Sequence, residues 1–347
     1  MEPAVIRLLE AMPKAELHLH LDGSLRVGTA LELARTRGVD APTTWRGMFD
    51  ALVAPMPCRD QAELLRAFDL PIELLQDAEA LERVTSELVE SKAADNVRYV
   101  EIKWGPFLHV RRGLALADGI DAVVRGAEAA AARTGVVVRL VAVGLRSHDP
   151  ADNVRVAEAA ARFRDRGLTG WDLAGQEEAY PDPLVHRDAF DAARAGGLRI
   201  SLHAGEWNGA SQVWRALEMA PERIAHGQSA AADPALMVEL KARGVCLDLC
   251  PTSNVQAGDV RSLADHGLAR LHRAGVPVTL STDDTTVSDL SLTDEYQRSV
   301  SEIGLTLPEL WAIDRFALDV AFADEATLAP LRTEFDAWAA AIPELQG

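Results

Sequence analysis

Hydrophobic and polar positions along the chain fall into a repeating alternation. Short runs rich in apolar and β-branched residues recur at "AELHLHLD" (15–22), "VRYVEIKW" (97–104), "VVVRLVAVGL" (136–145), "LTGWDLAG" (168–175), "LRISLHAGE" (198–206), "RIAHG" (223–227), "VCLDLCPTSN" (245–254) and "PVTLSTDD" (277–284). Between most of them lie longer stretches with apolar residues at helical spacing. "DGIDAVVRGAEAAAARTG" and "DPALMVELKARG" are the clearest, and each closes on a glycine, the common helix stop. Strands that alternate with helices run parallel, joined by helical crossovers. Eight such units in one chain predict an α/β fold, a closed (β/α)8 TIM barrel spanning residues 1–347 as one domain. An open doubly wound sheet is the alternative, but no glycine-rich dinucleotide turn follows the first strand.

Two regions exceed a minimal barrel. Residues 25–96 separate the first two strands, read as mainly helical, and carry Trp45, Phe49, Leu52, Leu65 and Phe68. An insertion after a barrel strand lies on the face where barrel active sites form, so this one is a candidate lid or pocket wall. Residues 285–347 follow the last strand and predict extra C-terminal helices that complete the outer layer.

Within strands, side chains alternate between faces. In "AELHLHLDGS" this sets His18 and His20 side by side, with leucines between them. Two buried neutral imidazoles leave donors and acceptors unpaired unless something satisfies them. Further polar residues crowd the carboxyl ends of the other strands: Gly175 with Glu177 and Glu178 beyond it, His203 and Glu206 in "HAGE", His226 in "AHG", and Asp283 and Asp284 in "STDD". In a barrel these ends meet at one mouth. His-x-His on one strand, a third His on another and an Asp on a further one make a nitrogen-and-oxygen set suited to a catalytic divalent metal, with zinc the default. Of the nine histidines, His109, His148, His186, His266 and His272 share no pattern and read as surface or packing residues. Glu177 and Glu178 read as a solvated loop edge.

Composition narrows the field. The formal net charge is −18, with no basic footprint for nucleic acid. No apolar run reaches the length of a membrane span, and the start "MEPAVIRLLEAMPKAE" reads as mature sequence rather than a signal peptide. Cys58, Cys246 and Cys250 give no disulfide framework and fit a reducing cytoplasm.

Taken in order, "MPKAELHLHLDGSLR", "DLAG", "SLHAGE", "RIAHG", "CPTSN" and "STDD" make the chain resemble the adenosine deaminase family of the amidohydrolase superfamily, over roughly residues 10–300. The resemblance implies one zinc ion per chain and hydrolytic removal of the exocyclic amino group from a small 6-aminopurine nucleoside. By similarity His18, His20, His203 and Asp283 hold the metal, with His20 also at the substrate. Glu206 is the acid/base beside purine N1, His226 orients the attacking water and Asp283 also accepts its proton. Asp284 meets N7, the backbone amide of Gly175 meets N3, and Asp22 reaches the sugar near its 5′ position.

Some positions depart from the family's pattern. "TTVSD" follows "STDD", Gln176 follows "DLAG", and Gly105 stands in "EIKWGP". These changes put the sugar side of the substrate in question. A 5′-extended adenosine such as aminodeoxyfutalosine is therefore an alternative substrate. Lys103, Arg111 and Arg112 are the candidate cations for its carboxylate, against the commoner reading of a solvated loop. Adenine ranks lower, because an Asp rather than a Glu stands at position 22. A two-metal amidohydrolase acting on an ester or amide is the rival of a different class, and the fourth strand ends in "DLAG", without the lysine that bridges such metals.

Overall fold

The computed structural model describes residues 1–345. Its centre is an eight-stranded parallel sheet in chain order: β1 (Lys14–His20), β2 (Val97–Trp104), β3 (Val137–Leu145), β4 (Leu168–Ala174), β5 (Arg199–Ala204), β6 (Arg223–His226), β7 (Cys246–Leu249) and β8 (Val278–Leu280). The ring closes just past β8. His20 N–H donates to Asp283 O at 2.7 Å, and Asp283 N–H donates to His18 O at 3.1 Å. Asp283 manages both by adopting a left-handed φ of 67°, which is costly for a non-glycine residue and is held only where the surroundings enforce it. The expected (β/α)8 barrel is thus the observed one.

Two strands depart from the simple pattern of their runs. The run 245–254 divides because Pro251 opens a helix, Pro251–Ala257, and proline suits a first helical turn, where its missing N–H costs nothing. Ser253 and Asn254 therefore lie on a helix rather than on β7. In β1 the pairing with β2 shifts register between Glu16 and Leu19, so the alternation there is not strict.

The barrel interior below the mouth is polar and fully buried. Lys103 Nζ lies 2.7 Å from Asp172 Oδ2 and 3.2 Å from Ser201 Oγ. Arg223 pairs with Glu101 and with Asp248, and Thr279 donates to Asp248 at 2.8 Å. Charges this deep are tolerated when paired and hydrogen-bonded, and removing one partner is expensive. Lys103 is accordingly an interior residue and not a cation for a substrate tail, which corrects the sequence-based expectation. Arg112 is occupied too, in a surface pair with Glu73.

Between β1 and β2 come the helices Val27–Arg37, Trp45–Leu52, Gln61–Leu65, Asp69–Leu74 and Ala78–Ala94. Thr44, Asp60 and Asp77 cap three of them through backbone N–H groups of Gly47, Glu63 and Ala80, as N-cap residues do. Trp45 is 57% exposed and stacks on the half-buried Phe49, so Trp45 belongs to the outside. After β8, the helix Leu307–Val320 packs against both β1 and β8 and covers the seam. Leu318 and Phe335 join Ala15, Leu17 and Tyr99 in a common apolar cluster. Among the described residues, no helix is long and apolar enough to cross a membrane.

Candidate active site

The carboxyl ends of the strands meet around a cavity of about 250 Å³. His18 and His20 on β1, His203 on β5 and Asp283 after β8 point their ligand atoms at one spot. The Nε2 atoms of His18 and His20 lie 3.2 Å apart, and those of His18 and His203 3.1 Å. His20 and His203 are 3.2 Å apart. Asp283 Oδ1 is 3.1 Å from His18 Nε2 and 3.4 Å from His20 Nε2. A tetrahedron with metal–ligand bonds of about 2.0–2.1 Å has edges of about 3.3 Å, so these spacings fit a four-coordinate ion.

The donor chemistry fits as well. His203 Nδ1 is 3.0 Å from Asp172 Oδ2, outside good hydrogen-bond geometry but close enough for the carboxylate to favour the ring hydrogen on Nδ1, which leaves the Nε2 lone pair towards the other two imidazoles. His18 Nδ1 is buried with no partner. Burial holds His18 well below the usual histidine range and His20 at about 4, so both rings are neutral at physiological pH. Three imidazole nitrogens and a carboxylate at mutual contact are satisfied together by a divalent cation. His18, His203, His226 and Asp283 also offer ligand atoms within 4.8 Å of one another. His226 Nε2, however, stands 3.8 Å from Asp283 Oδ2, farther out than His20 is from Oδ1.

Around this cluster sit the remaining residues. Burial, then the neighbouring Asp283, pushes the Glu206 carboxyl well above its usual range; Glu206 Oε2 is 3.7 Å from His226 Nε2. Burial opposes ionisation of Asp283 too, but His18, His226 and His20 hold it well below the usual range. Its Oδ2 accepts from Ser253 Oγ at 2.6 Å. Burial raises Asp284 strongly, helped by Asp283, Asp22 and Glu206, and its Oδ1 is buried without a partner. A side chain at Gly23 would overlap that carboxylate, so "DG" at 22–23 is a close-approach requirement. Asp22 is lifted to about 6 by burial, and Gly175 lines the cavity with a φ of 107°.

Several residues were missed or misread in the sequence. Asp172, at once the partner of His203 and of Lys103, lies inside the quoted run 168–175 without distinguishing marks. Its buried neighbour Lys103 on β2 was the available signal, since a buried charge needs a counter-charge. Glu177 is not a solvated edge. It is 2% exposed and accepts from the N–H groups of Gly205 at 2.7 Å, Trp207 at 2.9 Å and Asn208 at 3.1 Å, fixing the loop that carries Glu206. Glu178 is exposed as expected. Of the histidines read as surface or packing residues, His109, His186 and His266 are buried, as packing residues would be, and His109 Nε2 stands 3.9 Å from Asp22 Oδ2.

The apolar wall of the cavity comes from Leu64, Leu65, Phe68 and Ile72 of the inserted helices and from Leu108, Val143 and Leu145. Of the positions that depart from the family's pattern, Gly105 lines the cavity, while Gln176 and Thr285–Ser288 lie outside its lining.

The adenosine deaminase family model matches residues 13–338. An adenosine deaminase of Vibrio vulnificus is 36% identical over 319 residues, covering 91% of this chain and 96% of that one. Among solved structures, an adenine deaminase from Arthrobacter aurescens superposes with a TM-score of 0.88 at 28% identity, covering 95% of this chain and 100% of its own. The N6-methyl-AMP deaminase from Arabidopsis thaliana does so with 0.84 at 29% identity, covering 96% and 98%. A match over nearly the whole barrel, including every strand end that carries a cluster residue, leaves one conclusion: the chain belongs to the adenosine deaminase family.

Proposed function

We propose that this protein deaminates a neutral 6-aminopurine nucleoside hydrolytically, at a single zinc ion held by His18, His20, His203 and Asp283. The observation that carries this reading is Glu206. Its carboxyl is kept protonated by burial beside a cluster of three imidazoles and a carboxylate, so a proton donor stands next to a site for activating water.

Zinc at this cluster would lower the pKa of a coordinated water to about 7, making a nucleophile available at neutral pH. The protein's own residues handle the protons. Asp283 Oδ2, held by Ser253, accepts a proton as water adds to C6. Glu206 donates one to N1 and so neutralises the charge that addition pushes onto the ring, help worth about 10²–10⁴ in rate. The proton on Asp283 then passes to the amino group, which leaves as ammonia. The C6 hydroxyl returns its proton to Glu206 as the carbonyl forms, and N1 keeps its own. His226 faces both carboxylates. Protonated Asp284 meets N7, the Gly175 amide meets N3, and Asp22 accepts from a sugar hydroxyl.

The cavity lining supports a nucleoside rather than a nucleotide. It contains the carboxyl groups of Asp22, Asp69, Glu206, Asp283 and Asp284 and no lysine or arginine. A 5′-phosphate entering such a lining finds no lysine or arginine to pair with and meets the carboxyl groups of Asp22 and Asp69 instead. The same lining disfavours a 5′ extension that ends in a carboxylate. The test is kcat/KM for adenosine, 2′-deoxyadenosine, adenine, AMP and a 5′-extended adenosine with the zinc-loaded protein. Adenosine or deoxyadenosine should exceed AMP by at least about 10²-fold, equivalent to about 2.7 kcal/mol of transition-state binding. AMP or the extended nucleoside in the lead would refute the nucleoside assignment, and adenine in the lead would remove the role given to Asp22.

A further inference from the structure

Behind His226, on the side away from the cavity, runs a chain of hydrogen bonds whose direction can be followed from one end. Leu268 N is 3.1 Å from His266 Nδ1. A backbone N–H only donates, so His266 Nδ1 is the acceptor and, in the neutral ring, the hydrogen sits on Nε2. Burial keeps His266 neutral, at about 3. His266 Nε2–H therefore donates to Asn254 Oδ1, at 3.1 Å. That bond fixes which way round the Asn254 amide stands, an assignment that otherwise rests on the network alone. Its Nδ2–H group then points at His226 Nδ1, 3.2 Å away. An amide N–H also only donates, so His226 Nδ1 is an acceptor and the ring hydrogen is on Nε2, the nitrogen that faces Glu206 and Asp283.

Backbone hydrogen bonds and burial hold this chain in place. Asn254 N–H donates to Cys250 O at 3.0 Å, and its carbonyl accepts from Val260 N–H at 3.2 Å. Asn254 is fully buried and His266 is 5% exposed. His226 holds a left-handed φ of 63° at the end of β6. Neither Asn254 nor His266 lines the cavity.

We propose that Asn254 and His266 are positioning residues that lock His226 in its Nε2–H tautomer, making its site-facing nitrogen an obligate hydrogen-bond donor. The consequence is specific. His226 has no lone pair at Nε2, so it neither ligates a metal through that atom nor accepts a proton from water. It delivers a hydrogen bond to an oxygen in the site. This separates the two possible ligand sets, because it removes His226 and leaves His20 as the third imidazole. Its effect on turnover rests on the deamination proposed above, whereas the tautomer itself does not.

The experiment is long-range proton–nitrogen NMR correlation on protein carrying ¹⁵N-histidine, metal-free and zinc-loaded, with the His226 signals assigned by their loss in H226Q. The expected result is an unprotonated Nδ1 and a protonated Nε2 for both His226 and His266. In N254D the side chain can only accept from both rings, so His226 should shift its hydrogen to Nδ1. Zinc content should stay at the wild-type level and kcat should fall by about 10²-fold or more, as when a preorganised donor is lost, with KM little changed. H266Q, which keeps a donor towards Asn254, should retain the wild-type His226 tautomer. A hydrogen on His226 Nδ1 in the wild-type protein overturns the proposal, and so does an N254D protein with wild-type kcat. The tautomer is read without substrate, so absence of deaminase activity would refute the proposed function and leave this result standing.

Discussion

Ser253 donates to Asp283 Oδ2 at 2.6 Å, while Asp283 Oδ1 faces His18 at 3.1 Å. The two oxygens of one carboxylate are thus given different work. In the proposed reaction Oδ1 belongs to the ligand cluster, and Oδ2 is held for proton transfer. Ser253 reaches this oxygen from the helix that Pro251 opens just after β7. A hydrogen bond to a charged group contributes about 1.5–3 kcal/mol. Ser253→Ala should therefore bind zinc as the wild type does and lose about 10–100-fold in kcat. Unchanged turnover would show that Oδ2 needs no holding.

Asp172 serves two partners, His203 Nδ1 at 3.0 Å and Lys103 Nζ at 2.7 Å. Asp172→Asn should weaken zinc binding by about 10–100-fold in a chelator competition, the usual effect of removing a carboxylate behind a ligating histidine. It should also lower the Tm, since a buried lysine left unpaired costs about 3–5 kcal/mol. Wild-type zinc affinity in a folded Asp172→Asn protein would refute the ligand-orienting role.

Glu206→Gln keeps the shape of the side chain and removes the titrating proton. The expected protein binds one zinc per chain and binds nucleoside, but its kcat falls by at least about 10²–10⁴-fold. Activity near wild type would mean that another group protonates the ring.

Asp314 tests the buried acids outside the site. It accepts from Ala15 N–H at 2.9 Å and from Tyr296 Oη at 2.6 Å, and burial lifts its carboxyl from 3.8 to about 7. A carboxyl with a folded pKa above its unfolded one holds its proton longer in the folded state. Stability is therefore highest below the unfolded pKa and declines as pH rises through the window from about 4 to about 7, by on the order of 4 kcal/mol in all. In Asp314→Asn this part of the decline should vanish, so Tm plotted from pH 5 to pH 8 should be flatter than in the wild type. An equal slope would contradict the shift.

The barrel and the mouth were legible because they follow local rules. Strand ends carry the polar residues, and His18, His20, His203, Glu206, His226, Asp283 and Asp284 each occupy such an end. The supporting residues were not legible in the same way. Asp172 and Lys103 sit in strands whose apolar neighbours read as core, and their charge becomes meaningful only when the sheet brings β2 and β4 to the same interior. Glu177 was misread because its value lies in three backbone N–H groups about thirty positions later. Asn254 and His266 are joined through a loop with no periodicity to follow. Residues proposed to touch substrate or metal are thus marked by position at a strand end, whereas those proposed to orient them are marked only by long-range contact.

The central claim is that one zinc ion and the protonated Glu206 remove ammonia from a neutral purine nucleoside. The most direct test loads the metal-free protein with increasing zinc and measures ammonia released from adenosine at each step. The account predicts no release without metal, a linear rise to one equivalent per chain, and a plateau beyond it. A maximum at two equivalents, or no ammonia at any loading, would contradict it.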